Sequence, residues 1–373
     1  MRVATVVGAR PQFIKAAPVS RAIRAAGCEE VLVHTGQHYD RQMSQVFFEE
    51  LDIPPPAVDL EVGSGSHGQQ TGTMLIRLEE VLAARRPDWV LVYGDTNSTL
   101  AGAIAAAKLR IPLAHVEAGL RSFNRDMPEE HNRVLTDHCS DLLLCPTRTA
   151  VTQLAREGIE RGVHLVGDPM YDAVLENLDR ARERTAVAAA HGLAPGGYLV
   201  ATIHRPYNTD DPAVLAGILE AIESIGEPVL FPVHPRTRAR IGALTGAPRL
   251  SRTILLEPLG YLDLLRLQSE ARMVLTDSGG VQKEAYFLGV PCLTLRPETE
   301  WVETVEAGWN RLVGSDPTAI VAAARSFAPA GARPAVFGDG RAAAAIARLL
   351  ADPAVRLEVL SGAATVGRRE GQP

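Results

Sequence analysis

Three carboxylates fall where apolar runs end. Asp95 closes VLVYGD, Glu117 closes PLAHVE, and Glu129 opens the segment PEEHNR. A carboxylate is costly to bury unless it is paired or hydrogen-bonded, so acids gathered at strand ends point to a task. Several of them in one site suit reversible removal of a proton from carbon and its return, which needs an acid and a base of separated pKa. A structural role competes for two of the three. Asp95 can cap the helix begun by TNSTLAG, and Glu129 can sit in the first turn of a helix over PEEHNRVL. Glu117, in EAGLR, has the weakest structural use.

Two further segments carry anion-binding chemistry. In GARPQFIK, Gly8 permits a tight turn, Arg10 and Lys15 supply cations, and the start of the next helix supplies free amides. That set suits a phosphate or a carboxylate. The spacing is neither GxGxxG nor GxxxxGK[ST], so it is no dinucleotide fingerprint or P-loop. A surface Arg and Lys near a helix start is the alternative. In LTDSGGVQKEA, Asp277, Ser278, Gly279 and Gly280 follow a strand and open a helix, with Glu284 one turn in. Adjacent glycines let the backbone approach a pyrophosphate, and a carboxylate so placed can hold vicinal ribose hydroxyls. The combination suits a sugar nucleotide, against an ordinary strand-to-helix turn. His204 in ATIHRPYN and His234 in FPVHPR each follow a strand beside an Arg. Each is either a site residue or a hydrogen-bonded structural one. HExxH, a Cys/His cluster and GxSxG are all missing from the sequence, which argues against a catalytic metal and a serine triad.

Positioning these groups requires strands with ends. The first half carries RVATVVG, EEVLVHTG, DWVLVYGD, PLAHVEAG, DLLLCPT and VHLVGDP; the second carries YLVATIHR, PVLFPVHP, TILLEPL, RMVLTDSGG, PCLTLR and NRLVG. Strands apolar at every position and separated by helix-length segments indicate α/β architecture, with parallel sheets covered on both faces. Two such series predict two Rossmann-like, doubly wound domains facing across a cleft lined by their strand ends. The break falls near Gly167-Asp168-Pro169, giving domains at 1–168 and 169–351, with a last helix over about 352–373 packing back on the first.

The chain's 373 residues suit two cores. A net charge of -6 gives no reason to expect nucleic acid or an anionic membrane as partner. Cys28, Cys139, Cys145 and Cys292 form no CxxC and read as buried, reduced thiols of a cytoplasmic protein. The chain opens directly on a strand-like run, with no signal-peptide pattern and no membrane-length apolar stretch. A soluble cytoplasmic protein is expected.

Taken in order, GARPQFIKAAPV, HTGQHYD, VYGDTNSTLAG, HVEAGLRS, MPEEHNR, TIHR, PVHPR, LTDSGGVQKEA and FGDGRA resemble the non-hydrolysing UDP-N-acetylglucosamine 2-epimerases over nearly the whole chain. The resemblance implies a glycosyltransferase-B type fold, a homodimer, and no cofactor or metal. It implies interconversion of UDP-GlcNAc and UDP-ManNAc, through elimination of UDP to 2-acetamidoglucal and re-addition. By motif, Asp95, Glu117 and Glu129 match the family's acid/base carboxylates, and His204 the histidine near the diphosphate. Arg10, Lys15, Ser278, Gly279, Gly280 and Glu284 match UDP contacts, to which His234 and Arg296 are added. Gln37, His38 and His234 partly match an allosteric site for UDP-GlcNAc found in many bacterial members.

The chain also departs from the family. Pro206 and Tyr207 replace charged groups after HR, Trp301 stands at the position of an arginine, Asp40 replaces a common glutamine, and SGSHGQQTG differs from the usual loop. These departures resemble a branch acting on UDP-2,3-diacetamido-2,3-dideoxyglucuronate, the alternative substrate. Its extra carboxylate asks for a cation, and Arg121, Arg125, Arg205 and Arg236 all lie near the motifs. More distant alternatives are a UDP-sugar transferase, a hydrolysing epimerase and a non-catalytic UDP-sugar binder. The first would leave three first-domain acids surplus.

Overall fold

In a computed structural model, which describes residues 1–37, 47–184, 187–246 and 248–362, the chain divides into two compact units. Unit 1 comprises Met1–Ala173 and the chain from Ala335 onward; unit 2 comprises Val174–Pro334.

Unit 1 contains β1 (Arg2–Val7), β2 (Glu29–His34), β3 (Val58–Asp59), β4 (Trp89–Tyr93), β5 (Leu113–Val116), β6 (Leu142–Cys145) and β7 (Val163–Leu165). They form one parallel sheet in the order β3-β2-β1-β4-β5-β6-β7. Helices cover both faces, which is why WVLVY and LLLC are buried at every position. The order reverses at β1, whose neighbours are β2 and β4. In an open parallel sheet the crevice beyond the carboxyl ends at such a reversal is where ligands bind.

Unit 2 repeats the plan with β8 (Leu199–Thr202), β9 (Val229–Pro232), β10 (Thr253–Leu256), β11 (Met273–Thr276), β12 (Cys292–Thr294) and β13 (Asn310–Leu312). Their order is β10-β9-β8-β11-β12-β13, again parallel, with the reversal at β8. Leu199, Phe231, Leu275 and Leu293 on one face pack with Ile218, Leu219 and Ile320 from the covering helices.

The boundary expected at residue 168 lies at Ala173, and unit 1 resumes at Ala335, not near 352. Packing explains both shifts. Helix Pro169–Glu183 begins in unit 1, where Met170 and Ala173 are buried. The Asp172 carboxylate accepts the N–H groups of Ala342 and Ala343 (3.1 and 2.7 Å), satisfying the start of helix Ala342–Ala351. That helix buries Ala343, Ile346, Ala347 and Leu350 and packs against helix Arg10–Ala25. Residues 363–373 of the expected last helix lie outside the described residues. Cys145 and Cys292 are buried as expected, whereas Cys28 and Cys139 are only half-buried; all four are free thiols. Among the described residues, no helix is long and apolar enough to cross a membrane.

Candidate functional site

In unit 1 the turn after β1 is locked by Gln12. Its Oε1 accepts the N–H groups of Gly8 and Ala9 (2.8 and 3.0 Å), while its Nε2 donates to the Tyr93 carbonyl (2.9 Å). The turn is thereby tied to the end of β4. A Cβ on Gly8 would lie 2.0 Å from Thr35 Oγ1 and 2.3 Å from Ser98 Oγ, so only glycine fits. Arg10 opens the helix with its guanidinium 5.7 Å from the Phe47 ring centroid. Lys15, one turn on, is buried, and its ammonium forms an ion pair with the buried Glu117 carboxylate. The expected phosphate cation is therefore seated against a candidate acid.

Glu117 follows β5 with φ +69°, a left-handed conformation that side chains rarely adopt outside over-determined sites. Gly94, after β4, leaves the room: a Cβ there would lie 3.2 Å from Glu117 Oε2 and 3.5 Å from Lys15 Nζ. The register Tyr93↔Val116 sets the two strand ends side by side.

Asp95 does not cap the next helix. Thr96 does, its hydroxyl accepting the Thr99 N–H at 3.3 Å. The Asp95 carboxylate instead pairs with Arg133 Nη2 (2.5 Å), and its carbonyl accepts from Asn132 Nδ2 (2.9 Å). Arg133 and Asn132 stand on helix Pro128–Cys139, whose first turn carries Glu129, half-buried, and Glu130, buried. Glu130 is a structural clamp. It accepts the Ser122 N–H and hydroxyl (2.9 and 2.8 Å) and the Phe123 N–H (2.9 Å), and it pairs with Arg133 (3.0 Å). Gln37, expected at an allosteric site, has its Oε1 engaged by Ser98 N–H and Oγ (3.1 and 2.7 Å). His38 lies outside the described residues.

In unit 2, Asp277 organises the strand ends. Fully buried after β11, it accepts the N–H groups of His204 and Arg205 (3.1 and 2.9 Å) and Asn208 Nδ2 (3.0 Å), fixing the HRPYN loop after β8. His204 Nδ1 lies 3.3 Å from Asp277 Oδ1, and its side chain keeps 42% of its surface exposed. Loss of hydration on its packed side lowers the His204 pKa, an effect Asp277 opposes and Arg205 reinforces. Ser278, Gly279 and Gly280 open helix Gly279–Leu288, and Glu284 lies buried one turn in. Glu284 Oε2 accepts from Gln268 Nε2 (2.8 Å). Burial pushes its pKa up to about 7, against the opposing effects of Gln268 and Lys283.

Two other expected contacts have structural partners. His234 caps helix Pro235–Gly242, Nδ1 accepting the Arg236 N–H at 3.3 Å. Arg296 is buried and paired with Glu300 (2.9 Å). Near it, Trp301 covers a cation that the motifs left unmarked: Lys283, buried, with Nζ 3.9 Å from the ring centroid. Among the described residues, no group of three His, Cys, Asp or Glu side chains is set to hold a metal.

Of the four arginines near the motifs, Arg121 is fully engaged, by the Leu120 carbonyl, Asp137 and a two-pronged pair with Glu157. Arg236 makes a two-oxygen contact with Asp210 (2.6 and 2.7 Å). Arg125 is exposed and lines a surface pocket with His67, Asn97, His131 and Asn132.

Two doubly wound parallel units define the glycosyltransferase-B type of architecture. The chain belongs to the UDP-N-acetylglucosamine 2-epimerase family, whose model matches residues 21–351, and is an epimerase. It is 49% identical over 360 residues to the UDP-2,3-diacetamido-2,3-dideoxy-D-glucuronate 2-epimerase of Pseudomonas aeruginosa, covering 94% of this chain and 99% of that one. It is 45% identical over 333 residues to the UDP-N-acetylglucosamine 2-epimerase of Methanocaldococcus jannaschii, covering 87% and 91%. The crystal structure of the M. jannaschii UDP-GlcNAc 2-epimerase in complex with UDP-GlcNAc and UDP superposes with a TM-score of 0.88 at 43% identity, covering 94% of this chain and 99% of that one.

Proposed function

We propose that the protein interconverts UDP-GlcNAc and UDP-ManNAc without releasing free sugar. A unit 1 carboxylate takes the proton from carbon 2 as the bond from carbon 1 to the UDP oxygen breaks, leaving 2-acetamidoglucal. A proton delivered to the opposite face of carbon 2, with the UDP oxygen returning to carbon 1, gives the epimer. Asp95, Glu117 and Glu129 are the acid/base groups. The helix start at Ser278–Gly280 holds the diphosphate with His204 near it, and Glu284 holds the ribose.

The observation that carries this reading is Glu117, a carboxylate kept left-handed and buried against Lys15 at a strand end next to that of Asp95. A site that only bound UDP would have no use for it. The complex of the M. jannaschii relative with UDP-GlcNAc and UDP supports the substrate. Proton NMR of the protein with UDP-GlcNAc in heavy water is the test. A UDP-ManNAc anomeric signal with deuterium at carbon 2 of both sugars is expected; free ManNAc would show hydrolysis, and no exchange would sink the reading.

A second reading, epimerisation of UDP-2,3-diacetamido-2,3-dideoxyglucuronate, is favoured by the 49% identical P. aeruginosa relative and by the exposed Arg125. The same spectrum recorded with that sugar nucleotide separates the two by relative kcat/KM. A homodimer, as the resemblance implies, is tested by sedimentation at micromolar concentration.

A further inference from the structure

We propose that Asp137 is a positioning residue for the Glu117 carboxylate and that it acts through a buried, doubly protonated His115. His115 lies on β5, two residues before Glu117, and is completely buried. Its Nε2 stands 2.7 Å from the Gly94 carbonyl and its Nδ1 2.7 Å from Asp137 Oδ1. A peptide carbonyl only accepts, so Nε2 carries hydrogen. The other oxygen of Asp137 accepts the Gly119 N–H (3.1 Å) and Arg121 Nη1 (2.7 Å), and the guanidinium charge favours the carboxylate. Oδ1 of that carboxylate needs a donor, and Nδ1–H of His115 supplies it. With Asp137 ionised, this geometry assigns hydrogen to both ring nitrogens.

Charge accounting agrees. His115, Asp137, Arg121 and Glu157 form a chain of alternating sign, from a fully buried ring to a carboxylate with 27% of its side chain exposed. Burial opposes ionisation of Asp137, but the hydrogen bond and charge of His115, together with Arg121, outweigh it and hold its pKa below the usual carboxylate range. An ion buried this deeply persists only when paired and hydrogen-bonded, as each of these is.

These side chains hold the backbone on both sides of Glu117, at the neighbouring strand end and in its own turn. On one side His115 holds the carbonyl of Gly94, the residue whose missing side chain leaves room for the Lys15–Glu117 pair. On the other, Asp137 holds Gly119, which at φ +81° packs so closely that a Cβ would lie 2.4 Å from the Ala150 carbonyl oxygen. Between them Glu117 and Ala118 both donate to the Leu144 carbonyl (3.1 and 3.3 Å). His115 and Asp137 are both buried beneath this turn. Their task is to keep a strained, side-chain-bearing residue in one conformation.

The kinetic part of the test rests on the proposed epimerisation; the spectroscopic part does not. In 15N-histidine-labelled full-length protein at pH 7.5, His115 is expected to show hydrogen on both ring nitrogens. A single bare nitrogen would overturn the proposal, whether or not any sugar nucleotide turns over. Asp137→Asn is expected to lower kcat by about 100-fold, the scale of an ångström-sized misplacement, with the Kd for UDP changed less than about twofold. It should also leave one ring nitrogen bare. Asp137→Glu, which restores the charge, should recover part of kcat. An Asp137→Asn enzyme within about threefold of the parent kcat overturns the positioning role. Should that variant fail to fold, the spectrum of the parent protein still decides the state of His115.

Discussion

Lys15 and Glu117 are each buried and each charged, and neither would be tolerated alone. Removing one partner of such a pair typically costs about 3–5 kcal/mol, because the other charge stays behind without compensation. Glu117→Gln keeps the shape but leaves the Lys15 charge uncompensated, whereas Asp95→Asn leaves Arg133 its pair with Glu130 and is the cleaner probe of chemistry. Asp95→Asn and Glu117→Gln are each expected to lower carbon 2 exchange by a factor of about 100 or more, the range for loss of a general acid or base. UDP affinity, measured by calorimetry, should stay within about threefold, since Ser278–Gly280 and Glu284, proposed to hold the diphosphate and the ribose, lie in unit 2. Glu284 gives a second prediction, and its sign is fixed by burial. Its pKa is raised to about 7, so near neutrality the unliganded protein keeps a proton there that the unfolded chain would have released. That group's contribution to stability is lost as pH rises from the usual carboxylate range through about 7. Ribose hydroxyls donate to an ionised carboxylate, so UDP binding should expel the proton. Affinity should weaken as pH falls below 7, approaching about tenfold per pH unit, and calorimetry in two buffers at pH 6.5 should show proton release. Glu284→Gln should flatten both.

Among the elements, helix Pro128–Cys139 does more positioning than its sequence suggests. Arg133 reaches Asp95, Glu130 ties down Ser122 and Phe123, and Asp137 serves the Glu117 turn from the other end. The turn after β1 is as tightly specified. Gly8→Ala should destabilise the protein by about 1–3 kcal/mol, seen as a drop of several degrees in thermal unfolding, because the new methyl meets Thr35 and Ser98. Much of this was legible beforehand. Twelve of the strands announce themselves as apolar runs, and the polar residues after them mark the candidate site, because the inner strands of a parallel sheet are buried on both faces. The two-residue strand Val58–Asp59 is too short to leave a pattern. Partnerships were harder. That Thr96 caps in place of Asp95, that Lys15 meets Glu117, and that Glu130 serves structure beside Glu129 are decided by three-dimensional packing, which spacing does not encode. His115 did leave a sign, an imidazole inside the apolar run PLAHV, but its meaning depends on Asp137, 22 residues away. Asp277 stood in a quoted motif, yet its hold on the HRPYN loop shows only when β8 and β11 are seen as neighbours.

For the whole molecule, the chain's path is the fact of consequence: unit 2 is inserted within unit 1. The return was expected too late because the stretch from Ala335 to Arg341 offers neither strand nor cap signal, and the evidence for it lies in Asp172, far upstream. Asp172→Ala should unfasten that junction, destabilising unit 1 by about 0.5–2 kcal/mol, the usual worth of a helix cap, with little change in unit 2. Hydrogen exchange resolved by segment would show it as faster exchange in 342–351 and 10–25 alone. The insertion also sets an order of birth. Helix Arg10–Ala25 leaves the ribosome early, but helix Ala342–Ala351, which packs on it, follows only after roughly 160 residues of unit 2, about 8–30 s at ordinary rates of synthesis. Unit 2 is contiguous and can close while unit 1 still waits for its last piece. The half-built first unit, with an apolar helix face uncovered, is the stage at which a nascent chain would call on a chaperone.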